Sequence, residues 1–252
     1  MLSYHPVFAL PTASEDQPAQ SFFGGIPSGL PLQLWPVCQE CQVAMTPLIQ
    51  LVAGEWLPRL PEGSVLLVFK CEGADICSFW EHDGGANQCL IVPETQLQDQ
   101  AGLPSDVVSG RTRILPRINI IGWQTREDGI TANEATAMNE YASFYQLPTA
   151  RQFLHDFDSK LMTKSGPVPY WTGNGPSSEP KLPRVLLFQL DHWIELSEPE
   201  DHVMAYLERY DSMVDYSHGM LSAANFMSDG TAFIFDVTPE EELPTPVLEI
   251  LR

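Results

Sequence analysis

The stretch from Ser21 to Cys77 reads SFFGGIPSGLPLQLWPVCQECQVAMTPLIQLVAGEWLPRLPEGSVLLVFKCEGADIC. Two of its runs, MTPLIQLV over Met45–Val52 and SVLLVFK over Ser64–Lys70, are apolar blocks of strand length. Runs of that length, parted by a proline-rich turn from Pro58 to Glu62 and by Gly63, predict two strands, the second with the continuous apolar character of a buried one. Gln50, the single polar member of the first, needs a hydrogen-bond partner if the strand is buried. Before it, Phe22 to Pro27 sets two aromatic rings beside a glycine pair, which suits a turn where backbone approaches packed rings.

The same stretch carries thiols. Cys38 and Cys41 form a C-x2-C knuckle after Trp35-Pro36, Cys71 stands where the strand SVLLVFK ends, and Cys77 follows in C-x5-C spacing. Four thiolates from a knuckle and a distant loop suit a tetrahedral structural zinc, a closed site with no open position for catalysis. His82 and Cys89 stand as substitutes for Cys77. The competing reading is four ordinary buried thiols, since free cysteine packs as a small apolar residue. Cys89, in a strand with Leu90 and Ile91, reads as a core residue.

Working outward, a reduced copy of the pattern returns in the second half. Gly166 to Trp171 leads into the strand Arg184–Asp191, whose Phe188-Gln189-Leu190 matches Ile49-Gln50-Leu51, and Asp229-Gly230 precedes TAFIFDV as Glu62-Gly63 precedes VLLVF. The expected fold is therefore α+β, with two similar, mostly antiparallel sheet units from an internal duplication and connecting helices. The divisions are residues 1–20 as an extended, partly ordered arm, 21–125 as the first unit, 126–163 as connecting helices and 164–252 as the second unit without cysteines. The helices rest on the spacing of Ala137, Tyr141 and Phe144, then of Phe153, Phe157 and Leu161, with Pro148 between. A further helix is expected from about Pro199 to Tyr210, with Ser197 as cap and Glu200 at capping-box distance. The segment from Phe79 to Pro93 reads as strand, turn and strand, and the tail PEEELPTPVLEILR as a loop and a short terminal helix.

In 252 residues there are 33 acidic and 13 basic side chains, a net charge of −20. Such a surface repels phosphate backbones and anionic lipid and attracts a basic polypeptide. Hydrophobic residues make up 44%, enough for a packed core. The first 19 residues lack a basic start followed by an apolar core, and no apolar run is long enough to span a bilayer, which predicts a cytosolic protein. In that reducing compartment five cysteines are expected free or metal-bound.

The order Gly-Gly-x-Pro, Trp-Pro, C-x2-C, Met-x-Pro-Leu-x-Gln-Leu, then Leu-Pro-x-Gly and an apolar strand resembles the YwqG-like family of bacterial proteins. The knuckle followed by PLIQL and VFKC is similar to the programmed cell death protein 2 group of eukaryotes, placed with it in the TYPP superfamily. The likeness covers Ser21 to Pro93 well and Lys164 to Pro239 more loosely. It implies an α+β fold with a duplication and, from the eukaryotic branch, chaperone-like holding of a basic, ribosomal-type protein client. The second half has no cysteine, so no second metal site is expected.

Enzyme motifs are sparse: neither a G-x-S-x-G elbow nor a phosphate-binding G-x-x-x-x-G-K-[ST] loop is present. Asp191, His192, Asp215 and His218 form the alternative, an acid–base or metal cluster of a hydrolase. Trp35, Trp56, Tyr170 and Trp171, in proline-rich loops, are candidates to line a peptide groove. The sequence favours a non-enzymatic protein-binding module with a structural zinc over that alternative.

Overall fold

A computed structural model describes residues 1–12, 20–73, 77–138, 162–166, 168–171, 184–210 and 214–252. Every strand pairing in it is antiparallel. A six-stranded sheet has the order β1-β6-β2-β3-β4-β5, built from β1 (Leu2–Ala9), β2 (Phe22–Phe23), β3 (Thr46–Val52), β4 (Ser64–Lys70), β5 (Asn87–Pro93) and β6 (Ile118–Glu127). A three-stranded sheet has the order β12-β11-β7, from β7 (Val185–Asp191), β11 (Thr231–Asp236) and β12 (Pro246–Leu251). A second, formed by β8 (Ile194–Glu195), β9 (Asp215–Ser217) and β10 (Met220–Ser222), has the order β8-β10-β9. The described residues include the helices α1 (Ser105–Val108), α2 (Ala132–Met138) and α3 (Glu200–Leu207).

The two apolar runs that fixed the reading are the central pair β3 and β4, and β4 is buried along its whole length. Strand β11 is buried on both faces, and its period-two alternation divides the interior. Ala232 and Ile234 join the large core with Leu48, Val68 and Phe69, whereas Phe233 and Phe235 pack with Val168, Tyr170 and Trp171 in a smaller one.

One set of contacts occurs in both halves. Phe22 pairs with Gln50 and Lys164 with Gln189. Ser21 Oγ accepts from the Val52 N–H at 3.0 Å, and Thr163 Oγ1 accepts from the Asp191 N–H at 3.0 Å. Gln50 Oε1 accepts from the Ser28 N–H at 2.9 Å, and Gln189 Oε1 from the Tyr170 N–H at 2.9 Å. The interval from hydroxyl residue to loop residue is the same in each, Ser21 to Ser28 and Thr163 to Tyr170. The amides then differ: Gln50 Nε2 donates to Gln20 O, Gln189 Nε2 to Tyr170 O. Both buried glutamines thus spend their side chains holding a loop against the strand they lie on.

The halves meet edge to edge. Tyr4 of β1 exchanges both backbone hydrogen bonds with Ser165, and the adjacent Lys164 exchanges both with Gln189 of β7, so pairing runs from the first sheet into the second. At the other end, Asn87 Nδ2 donates to Leu248 O at 3.3 Å and the Ile250 N–H to Trp80 O at 3.0 Å.

Several expectations change. The start of the chain is a strand, not an arm: Leu2–Ala9 pairs with β6 and buries Phe8, because its alternating side chains find an open edge there. The chain's end is strand β12 rather than a helix; beside β11 its alternation places Leu248 and Ile250 in the core. The N-cap of α3 is Pro199, with no side-chain cap bond, and Ser197 does not serve. The segment before Asp83 is turn rather than strand. Of the connecting helices only α2 is described; Tyr141, Phe144, Pro148, Phe153, Phe157 and Leu161 lie outside the described residues. Among the described residues, no helix is long and apolar enough to cross a membrane.

Candidate metal centre

The Cys38–Cys41 knuckle sits in a small loop closed by a bridge between Val37 and Ala44. The Cys38 N–H donates to Val43 O and the Gln42 N–H to Cys38 O, each at 2.9 Å, and Gln42 takes φ +58° to complete the turn. This left-handed residue, directly after Cys41, turns the chain back so that Val43 returns beside Cys38. Cys71 directly follows β4, and its N–H donates to Ala86 O at 2.8 Å, so the strand ladder delivers the third sulfur. Cys77 opens the next loop, where the Phe79 N–H donates to its carbonyl at 2.8 Å.

The ligand atoms of Cys38, Cys41, Cys71 and Cys77 all lie within 4.8 Å of one another. Cys41 Sγ and Cys71 Sγ are 3.6 Å apart, and all five cysteines are free thiols. A tetrahedron with zinc–sulfur bonds of about 2.3 Å has edges of about 3.8 Å, so the observed separation suits four sulfurs around one such ion. Backbone N–H groups of Val43 and Gly73 aim at Cys41 and Cys71 respectively, the outer-shell donors that orient metal-bound sulfur. Burial pushes the Cys71 thiol up to about 11, and pushes Cys77 further in the same direction. At Cys41 burial also acts upward, but the Val43 N–H and the neighbouring thiols outweigh it and hold the group below its ordinary value. Buried thiols of this kind carry negative charge when a cation compensates it. The donor set therefore fits a closed tetrathiolate metal site.

The two loops also hold each other without sulfur. The Ser78 N–H donates to Glu40 Oε1 at 2.6 Å and the Gln39 N–H to Gly85 O at 2.9 Å. Gly85 has φ +71°, and a Cβ there would come within 2.8 Å of the Gln39 side chain. Behind them lies a buried ion cluster: Lys70 Nζ is 2.5 Å from Glu72 Oε1, and Glu72 also accepts from Arg113 at 3.0 Å and from the Asn225 N–H at 2.9 Å. Burial lowers the Lys70 amine, opposed by Glu72. Glu72 thus ties the cysteine loop to the second half. His82, offered as a substitute ligand, is instead 3.2 Å from Glu249, and Cys89 packs against the core outside the cluster.

The other candidate residues are spread out. Asp191 is buried with its Oδ1 3.0 Å from His192 Nδ1, whereas Asp215 and His218 are exposed on and beside β9, in a different sheet. Among the described residues these four do not form a common metal-holding group. Trp35 is buried, donating to Met45 O at 3.0 Å and standing edge-on to Phe69. Trp171 is 1% exposed, with Phe233, Phe235 and the Arg184 guanidinium around it. Tyr170 is buried under Lys164 Nζ, 3.6 Å from its ring centroid. These three rings fill the interior. Trp56 alone of the four stays half-buried, stacked on Trp123 at 5.1 Å.

A cleft of about 420 Å³ opens beside Trp56, lined mainly by apolar atoms of Leu2, Tyr4, Leu57, Pro58, Leu186 and Leu187. Sequence reading missed it because its walls come from the first strand, the β3–β4 loop and β7. On the far side of Ser165 lies a buried polar group that was also missed. Lys164, fully buried, donates to Val168 O at 2.5 Å. Burial pushes its amine down to about 7, against the pull of Asp128, while burial and then Lys164 push His5 down to about 4.

No protein-family model matches the chain, and no curated protein does either.

Proposed function

We propose that this chain is a zinc-stapled, non-enzymatic protein-binding module that holds a basic protein client, in the manner implied by the YwqG-like resemblance. The observation that carries the proposal is the cluster of Cys38, Cys41, Cys71 and Cys77, whose sulfurs lie within 4.8 Å of one another. Four thiolates complete a tetrahedron, so a zinc held there stabilises the fold and leaves no position for substrate. The client's basic character follows from the net charge of −20, which steers cationic polypeptides toward the surface. The shared contacts of Gln50 and Gln189 favour descent of the two sheet units from one duplicated ancestor, with the thiol knuckle kept in the front copy alone. Cytosolic residence belongs to the same reading, because thiolates survive there. The hydrolase alternative draws on the Asp191–His192 contact alone, and Asp215 and His218 add nothing to it.

Elemental analysis of the purified protein tests the staple: one zinc per chain is expected, and less than a few tenths would remove it. Chelator at mildly acidic pH, where thiolates are reprotonated, should lower the melting temperature by more than ten degrees. Affinity purification at low and high salt tests the holding role, with a basic partner retained at low salt and released at high salt.

A further inference from the structure

The cleft beside Trp56 sits where the two halves meet, and its place in the pairing scheme suggests an occupant. Strand β1 uses its outer edge at Tyr4, and β7 uses its outer edge at Gln189, both against the two-residue segment Lys164–Ser165. Among the described residues, the edges on either side of that segment, Leu2 on β1 and Val185–Leu187 on β7, have no further strand partner there. Ser165 Oγ instead lies against the carbonyls of Leu187 and Trp56. The result is an apolar slot of about 420 Å³, of the size of a small ligand site and bounded by extended backbone.

The charges at its mouth are unequal. Arg59 is a lining residue, but its guanidinium is spent on Asp236, at 2.6 and 3.0 Å, and on the carbonyls of Thr238 and Glu241. Glu55, also at the mouth, is exposed, and its carboxylate has no partner among the described residues. The Met1 ammonium, which also lines the cleft, is likewise taken up by Asp128 Oδ1 at 2.7 Å and Ile130 O at 2.6 Å, so the charge left uncompensated among these lining groups is the carboxylate of Glu55, of the same sign as the whole chain.

We infer that this slot takes an extended segment of a basic protein, one apolar side chain seated against Trp56, Leu57 and Leu187 and an adjacent lysine or arginine paired with Glu55. This rests on the protein-holding function proposed above and gives it a place on the surface. The strand edges favour an extended chain over a compact ligand, since such edges recruit peptide backbone. Glu55 and the overall acidity select a cation beside the apolar residue.

The test is fluorescence anisotropy with dye-labelled heptapeptides in which valine and leucine alternate with lysine, with glutamate or with serine. The lysine peptide should bind and the glutamate peptide should not. Glu55→Lys should weaken binding by about fivefold to tenfold, the effect of reversing one exposed charge. Trp56→Ala should weaken it by about tenfold or more, as removal of an aromatic anchor does. Glu208→Lys, an exposed acid outside the cleft, should leave affinity within about twofold. No binding of the lysine peptide, equal weakening by Glu55→Lys and Glu208→Lys, or equal affinity for the serine peptide would each overturn the assignment. So would concentration-dependent dimerisation lost in Trp56→Ala, which would make a second copy the occupant. If a basic client captured at low salt is still held by Glu55→Lys and Trp56→Ala, the cleft is wrong and the wider function stands; peptide binding at the cleft with no such client reverses that outcome.

Discussion

Replacing Lys164 with methionine should change how stability depends on pH, in a direction fixed by its burial. The amine lies in the interior, with its Nζ over the Tyr170 ring and hydrogen-bonded to Val168 O. Its pKa falls from 10.5 in the unfolded chain to about 7 in the fold. Between those values the unfolded chain binds the extra proton and the folded one does not, so wild-type stability rises with pH from about 7 and levels off near 10.5. Below pH 7 both states are protonated, and the full penalty of burying the charge is present. Each pH unit within the window contributes at most about 1.4 kcal/mol, so the interval from pH 7 to pH 9 is worth about 2 to 3 kcal/mol. Asp128 faces the amine, and Tyr170, Arg126 and His5 lie around it. His5, held near 4, and Tyr170, pushed above its ordinary range, both titrate outside the interval. Methionine keeps the length of the chain and deletes the charge; it also leaves Val168 O without this donor, a loss that is the same at both pH values. Urea unfolding of wild type and Lys164→Met at pH 7 and pH 9 isolates the effect, because groups away from Lys164 titrate alike in the two proteins. The wild-type gain should exceed the variant's by about 2 kcal/mol. Equal gains would refute the argument, since they would mean that the lysine is hydrated or stays charged in the fold.

Gln50→Leu and Gln189→Leu should each cost about 2 to 4 kcal/mol in equilibrium unfolding, because each strands two backbone groups that its side chain now satisfies; a large cost at one site and none at the other would contradict their equivalent roles. Asp236 is fully buried and accepts from Arg59, Thr238 and Thr245, so Asp236→Ala should destabilise by about 3 to 5 kcal/mol, with Arg59 left uncompensated. Loss of less than 1 kcal/mol would show that the pair is solvated. Trp171→Ala should lower stability by about 3 to 5 kcal/mol through the cavity it leaves beside Phe233 and Phe235, yet leave client retention unchanged in the surviving folded fraction; selective loss of retention would return this ring to the binding surface.

Several parts of this structure are written locally. The strands at Thr46–Val52, Ser64–Lys70, Val185–Asp191 and Thr231–Asp236 were legible because a short apolar run between turn residues has few other ways to hide from water. The four sulfurs were legible because the knuckle sets two of them and the end of β4 supplies the third. A demand was legible at Gln50 as well: a polar side chain in a buried strand must find a partner, although the partner's name, the Ser28 N–H, was not. Local patterns misled where two structures satisfy them equally. PVLEIL alternates well enough for a strand and repeats well enough for a helix, and the free edge of β11 decides between them. Trp171 follows a proline-rich segment, as an exposed ring would, and is covered by side chains from a strand about sixty residues on.

By itself, then, the amino-acid order determined which segments are extended, which side chains require burial or partners, and which thiols are spaced for a common ion. Only the tertiary structure decided that β1 joins the sheet, that Lys164–Ser165 links the two halves, and that a cleft opens beside Trp56. Those outcomes depend on edges and registers supplied by residues from about twenty-five to more than a hundred positions away, and pairing across such distances is chosen by the fit of whole surfaces, which no local run of sequence contains.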